Sequence, residues 1–115
     1  MTAKNYTELT QNTSKHLKTL REGIPEVMQA FGALNKAASN EGVLSEKTKE
    51  LIAYAIAVSL RCEDCIGFHA KTLVRLGVTA DEVRETLGVT ILMGGGPAAM
   101  YAAHAMEAFE EFSAK

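Results

Sequence analysis

The sequence predicts an all-α fold, a compact bundle of about six helices that assembles as an oligomer. Nearly every segment carries helical signals, and none alternates cleanly with period two. Helix start and stop residues punctuate the chain, among them Pro25, Ser45, Gly77, Thr79 and Pro97. The last third is so rich in apolar and small residues that a chain of 115 residues cannot bury all of it within itself.

A first helix is predicted over about Tyr6–Arg21, with Leu9, His16, Leu17 and Leu20 on its apolar or amphipathic positions. Gly23 ends it, and Pro25 suits the first turn of a second helix over about Pro25–Ser39, which carries Val27, Met28, Phe31 and Leu34. Asn40-Glu41-Gly42 reads as a loop. Ser45 is a good N-cap for a third helix, about Glu46–Leu60. From Leu51 onward that helix is apolar almost all round, which predicts a central place in the core. Arg61 marks a break. A fourth helix then runs from Cys62 or Glu63 to Leu76 and closes on Gly77. Thr79 and Glu82 form a capping box that opens a fifth helix, ending near Gly94. Pro97 starts a sixth, running to about Phe112.

By size this is one domain, residues 1–115, with residues 1–20 as a peripheral N-terminal helix. The apolar fraction of 47% and charged fraction of 23% are those of a globular protein. A formal net charge of −2 offers no basic patch for nucleic acid. Met1–Leu20 lacks the apolar stretch of a signal peptide, so a cytoplasmic protein is expected. Thr86–Met106 is long and apolar enough to raise a membrane-spanning reading. Gly94-Gly95-Gly96-Pro97 breaks it in the middle and His104 lies inside it, so two buried helices and no membrane contact are the expectation. The small residues Gly88, Ala98, Ala99, Ala102, Ala103 and Ala105 let helices approach closely, and a homo-oligomeric interface should cover part of helices five and six.

The chemistry concentrates in Cys62-Glu63-Asp64-Cys65-Ile66-Gly67-Phe68-His69. Cys62 and Cys65 are the only cysteines, which argues against a secreted disulfide scaffold and for metal or redox work. On a helical wheel Cys62, Cys65 and His69 fall within about 60° of one another. Cys65 and His69 are neighbours at i and i+4, so the imidazole can take the thiol proton or stabilise the thiolate. The helix N-terminus lowers the pKa of both thiols. Leu73 and Leu76 continue the stripe, so Cys65 and His69 should be partly sheltered and Cys62 nearer solvent.

Two duller readings compete. Lone cysteines and histidines are usually buried packing residues, but three such residues on one stripe at a helix start rarely align by chance. Zinc wants four ligands and usually two ligand pairs; here there is one pair, His69, and at best Glu50 or His104 as a fourth. A thioredoxin-like site needs strands, and none is visible. Glu50 is a further candidate. If helices three and four form an antiparallel hairpin, Glu50 comes level with His69–Leu73 and can hold the imidazole in one tautomer. A solvated helix residue is the equal alternative for it. His16 and His104 are lone histidines, and His104 reads as a hydrogen-bonded core residue. Gly94–Gly96 follow no strand and precede no Lys-Ser/Thr, so they form a helix corner and no phosphate loop.

The spacing Glu50, Cys62, Cys65, His69 resembles the active-site pattern of the alkyl hydroperoxidase D-like branch of the carboxymuconolactone decarboxylase family. The resemblance covers roughly residues 20–112, including the Gly-Gly-Gly-Pro corner and the apolar last helix. It implies an all-helical fold assembled as a trimer, hexamer or similar ring. It implies a thiol-dependent peroxidase or dithiol–disulfide oxidoreductase of antioxidant defence, with a peroxide substrate and a lipoyl-type or thioredoxin-type dithiol as reductant. Cys65 would be the peroxidatic thiol and Cys62 the resolving one. His69 would relay the proton, and Glu50 would orient His69. No cofactor and no metal enter this reading. One position departs from the pattern: the family's peroxidases carry histidine before the second cysteine, and this chain has Asp64. Aspartate there does not relay a proton in the same way at neutral pH, and its charge raises the neighbouring thiol pKa. That counts against strong peroxidase activity and leaves a dithiol cycle intact. The family's other activity, lactone decarboxylation, needs no redox dithiol. A non-enzymatic redox sensor or metal-binding module is the third possibility.

Overall fold

In the computed structural model, which describes residues 5–115, the chain forms five helices. The first, α1 (Tyr6–Gly23), is started by Asn5, whose side chain accepts the Glu8 N–H. Pro25 opens α2 (Pro25–Ser39) immediately afterwards. Ser45 accepts the Thr48 N–H and starts α3 (Glu46–Ser59). Only Leu60 to Cys62 separate it from α4 (Glu63–Arg75). The capping box of Thr79 and Glu82 begins α5 (Ala80–Ser113).

The last two predicted helices are one element with a break inside it. Gly95 sits at φ 69°, ψ −150°, a conformation open to glycine and closed to other residues. The axis turns there, and Pro97 starts the second limb.

The turns that end α3 and α4 share one design. Arg61 N–H donates to the Val58 carbonyl and Cys62 N–H to that of Ala57. Gly77 N–H donates to Val74 and Val78 N–H to Leu73 in the same way. Both are paired closures around a residue in the left-handed region, Arg61 at φ 57° and Gly77 at φ 77°.

The core lies between α3, α4 and α5. Tyr54, Val58, Ile66, Leu73 and Val83 are fully buried in it, and the Tyr54 hydroxyl donates to the Ala105 carbonyl. α3 is buried on one face only, against expectation. Ile52, Ile56 and Leu60 form an exposed stripe at spacings of four, because α3 lies on the outside of the bundle with α4 and α5 behind it. No residue of α2 is buried; its Val27, Phe31 and Leu34 face outward.

α1 does more than line the periphery. Of residues 1–20, residues 1–4 lie outside the described part, but the first turns of α1 enter the core, where Tyr6 and Thr10 are buried. Gly67 permits this. A Cβ there would stand 2.6 Å from the Thr10 methyl group, so only glycine lets α1 lie this close to α4.

Candidate active site

The α3–α4 turn builds the site. Cys62 is both the last residue of the closure that ends α3 and the N-cap of α4, its Sγ accepting the Cys65 N–H at 3.1 Å. Cys65 lies in the first turn. The two are joined as a disulfide, with Cα atoms 5.2 Å apart. Both residues are half-buried, and Cys65 packs against the core cluster.

The chain reverses so tightly at Arg61 that α3 runs back alongside α4. This brings Glu50 to His69, with Nδ1 to Oε1 at 2.7 Å. The carboxylate is nearly closed off from water, 7% exposed, while the imidazole is 32% exposed. A carboxylate can only accept, so Nδ1 carries the hydrogen and Nε2 is left as the proton acceptor. Glu50 is thus no solvated helix residue. The four predicted site residues fall into two bonded pairs, Cys62–Cys65 and Glu50–His69, with His69 one turn beyond Cys65 along α4.

Other predicted features fall elsewhere. His16 is exposed on α1. His104, weighed as a zinc ligand or core histidine, is a third exposed and pairs with Glu63, Nδ1 to Oε1 at 3.2 Å. Asp64 accepts the Thr13 hydroxyl of α1. Sequence reasoning missed the Glu63–His104 pair and the Tyr6 hydroxyl, which also donates to Glu63 at 3.0 Å. Burial, and then the charge of Glu63, raise the Tyr6 phenol pKa, so Tyr6 stays a donor. Nothing local in the sequence links residues so far apart.

Two clefts open on the Glu50–His69 pair from either side of α2. One, of about 460 Å³, is lined by the apolar Leu17, Phe31 and Phe68 and by the charged Glu46 and Arg75. The other, of about 390 Å³, is bounded by Asn35, Lys49, Ile52 and Ile56.

This arrangement of helices has relatives. A family model described as the carboxymuconolactone decarboxylase family matches residues 25–108. The chain belongs to the carboxymuconolactone decarboxylase family. A crystal structure of a carboxymuconolactone decarboxylase family protein from Legionella pneumophila superposes with a TM-score of 0.93 at 51% identity, over 94% of this chain and 96% of that one. A Thermotoga maritima family member, described with a suggested part in the antioxidative response, superposes with a TM-score of 0.79 at 27% identity, covering 89% and 87%. An uncharacterised protein of Cupriavidus necator is 40% identical over 114 residues, 99% of this chain and all of that protein. Within this carboxymuconolactone decarboxylase fold, no helix among the described residues is long and apolar enough to cross a membrane.

Proposed function

We propose that this family member is a thiol-dependent peroxidase, a dithiol–disulfide oxidoreductase of antioxidant defence. The observation that carries the reading is the Glu50–His69 bond of 2.7 Å one turn beyond a sulfur pair already within bonding range. The Cys65 thiolate attacks the peroxide oxygen and becomes a sulfenic acid. His69 Nε2, its ring held in register by Glu50, has taken the proton of the Cys65 thiol and passes it to the leaving alkoxide or hydroxide. The Cys62 thiol then attacks the sulfenic sulfur and its proton goes to the departing hydroxide; water leaves and the Cys62–Cys65 disulfide remains. A dithiol reductant, lipoyl-type or thioredoxin-type, attacks Cys62 and restores both thiols, itself becoming a disulfide. Such a cycle belongs in the reducing cytoplasm. The antioxidative part suggested for the Thermotoga relative supports it.

The exposed apolar side chains Ile52, Ile56, Leu92, Met93 and Met100 support a homo-oligomer, a trimer or hexamer. A second copy is their occupant in this reading.

The test is peroxide-dependent thiol loss in the native chain and in Cys65→Ser. The variant should lose it; equal consumption by both excludes the role given to Cys65. A second reading, lactone decarboxylation, draws on Asp64, which is bound to Thr13 and so offers the dithiol no second relay. Full decarboxylation by a Cys62→Ser, Cys65→Ser double variant would favour it.

A further inference from the structure

The two residues enclosed by the cysteines are both acidic, and each is bound to another helix. Asp64 accepts from Thr13 of α1. Glu63 bridges two helices: Oε2 accepts from Tyr6 of α1 at 3.0 Å, and Oε1 from His104 of α5 at 3.2 Å. Glu63 is the first residue of α4 and the direct chain neighbour of Cys62. Its side chain is 22% exposed and that of His104 is 35% exposed, so solvent screens the pair only in part. The imidazole also lies edge-on to Tyr101, with centroids 5.2 Å apart. α4 therefore carries two carboxylate–imidazole pairs, Glu50–His69 and Glu63–His104. The peroxidase cycle uses only the first.

A carboxylate beside a thiol works against the thiolate, while a helix N-terminus works for it. The outcome at Cys62 depends on how far the charge of Glu63 is drawn away from the sulfur. Tyr6 and His104 both draw it, towards α1 and α5. Among the described residues, Glu63 meets Tyr6 from α1 and His104 from α5, with Arg61 and Asp64 on its own segment, and Glu107 of α5 acts on the same Tyr6. Of these side-chain types only histidine titrates near neutrality. Tyr6 stays a fixed donor, and His104 is the imidazole that meets Glu63 from α5.

We infer that His104, acting through Glu63, is a positioning residue that keeps the Cys62 thiol acidic enough to leave readily. This deepens the dithiol reading and rests on it. In the last step of recycling, Cys62 is joined to the reductant in a mixed disulfide. The reductant's second thiolate attacks the reductant sulfur; the bond to Cys62 breaks, and Cys62 departs with the electron pair. A thiol of lower pKa leaves faster. His104 thus sets the rate at which the oxidised protein is recycled, while His69 serves the peroxide step.

A Cys65→Ser background leaves Cys62 as the single thiol of the chain, so its thiolate titration, by ultraviolet absorbance or by alkylation rate against pH, reads this sulfur alone. In that background His104→Leu should raise the Cys62 pKa by about one unit, a roughly tenfold smaller thiolate fraction near neutrality. Glu63→Gln should lower it. With Glu63→Gln already present, His104→Leu should have no further effect, since its route to the sulfur is gone. A loosened fold would not give opposite signs and a vanishing coupling. An unchanged pKa in His104→Leu, shifts of the same sign from both variants, or an undiminished His104→Leu effect in the Glu63→Gln chain would each overturn the inference. Should His104→Leu fail to fold, His104→Phe removes the same bond to Glu63; it should shift the pKa in the same direction, and constancy there would be equally fatal. The titration needs neither peroxide nor turnover. A chain that shows these shifts and reduces no peroxide would sink the proposed function and leave this coupling standing.

Discussion

The proposed relay through His69 depends on Glu50, which decides which ring nitrogen carries the hydrogen. The carboxylate reaches Nδ1 at 2.7 Å from a nearly closed position, so the ring is held by a group that cannot swing into water. Glu50→Gln should keep the fold and slow the reaction of the reduced dithiol with peroxide by about tenfold or more, since an amide holds the ring without supporting its charge. Stopped-flow thiol loss at neutral pH measures this, and a native rate in the variant would remove Glu50 from the mechanism. Most of this site was legible in the sequence. Cysteines and histidines are rare, and their spacing along one helix is a local property. Glu50 needed a second step, the hairpin, which the break at Arg61 supplied. Glu63 and His104 were not legible as a pair. Their contact depends on how α5 lies across α4, and no local pattern encodes that.

At the scale of elements, two identical closures end α3 and α4, one around Gly77 and one around Arg61. The left-handed backbone costs glycine nothing and costs arginine about 1 kcal/mol. Arg61→Gly should therefore raise stability by about 0.5–1 kcal/mol in urea denaturation, less whatever the freer unfolded chain takes back. Destabilisation would mean that the Arg61 side chain contributes more than its backbone strain costs. The sequence signalled both turns, Gly77 as a cap and Arg61 as a break. It also placed a corner at Gly94–Pro97, where Gly95 alone takes the turn. It misjudged α3. An apolar run looks the same whether it faces a core or an interface, so composition predicted burial for Ile52, Ile56 and Leu60, which lie exposed.

Across the whole molecule, the start of α1 is clasped to the last turns of α5. Glu111, near the end of α5, accepts from the Tyr6 and Thr7 N–H groups at 3.1 and 2.7 Å and from the Thr7 hydroxyl at 2.6 Å. A carboxylate at the start of α1 is favoured by the free N–H groups there. Partial burial pushes the Glu111 pKa up, but its bonds to Thr7 and Tyr6 outweigh that, and the net shift is down from 4.5. Folding thus favours the ionised form. The clasp contributes fully above about pH 4.5 and fades as the pH falls through the lower folded value. In urea melts, native protein should exceed Glu111→Gln in stability at neutral pH, with the gap closing in that acid window; a gap independent of pH would refute the clasp. The outward apolar face makes a second prediction at this scale. Light scattering should find a trimer or hexamer, and charges introduced by Leu92→Glu with Met93→Glu should shift it to smaller species. A native monomer would end the oligomer reading.

From the sequence alone came the helical class, the order of the helices, most of their caps and the sulfur–imidazole stripe. All of these depend on residues within a turn or two of one another, where backbone geometry links spacing directly to position. Tertiary structure alone decided that α1 enters the core against Gly67, that α3 keeps an exposed apolar edge, and that Glu63 meets His104. Those outcomes turn on how whole helices pack, and packing answers to the shape and volume of surfaces that are brought together only when the chain has folded.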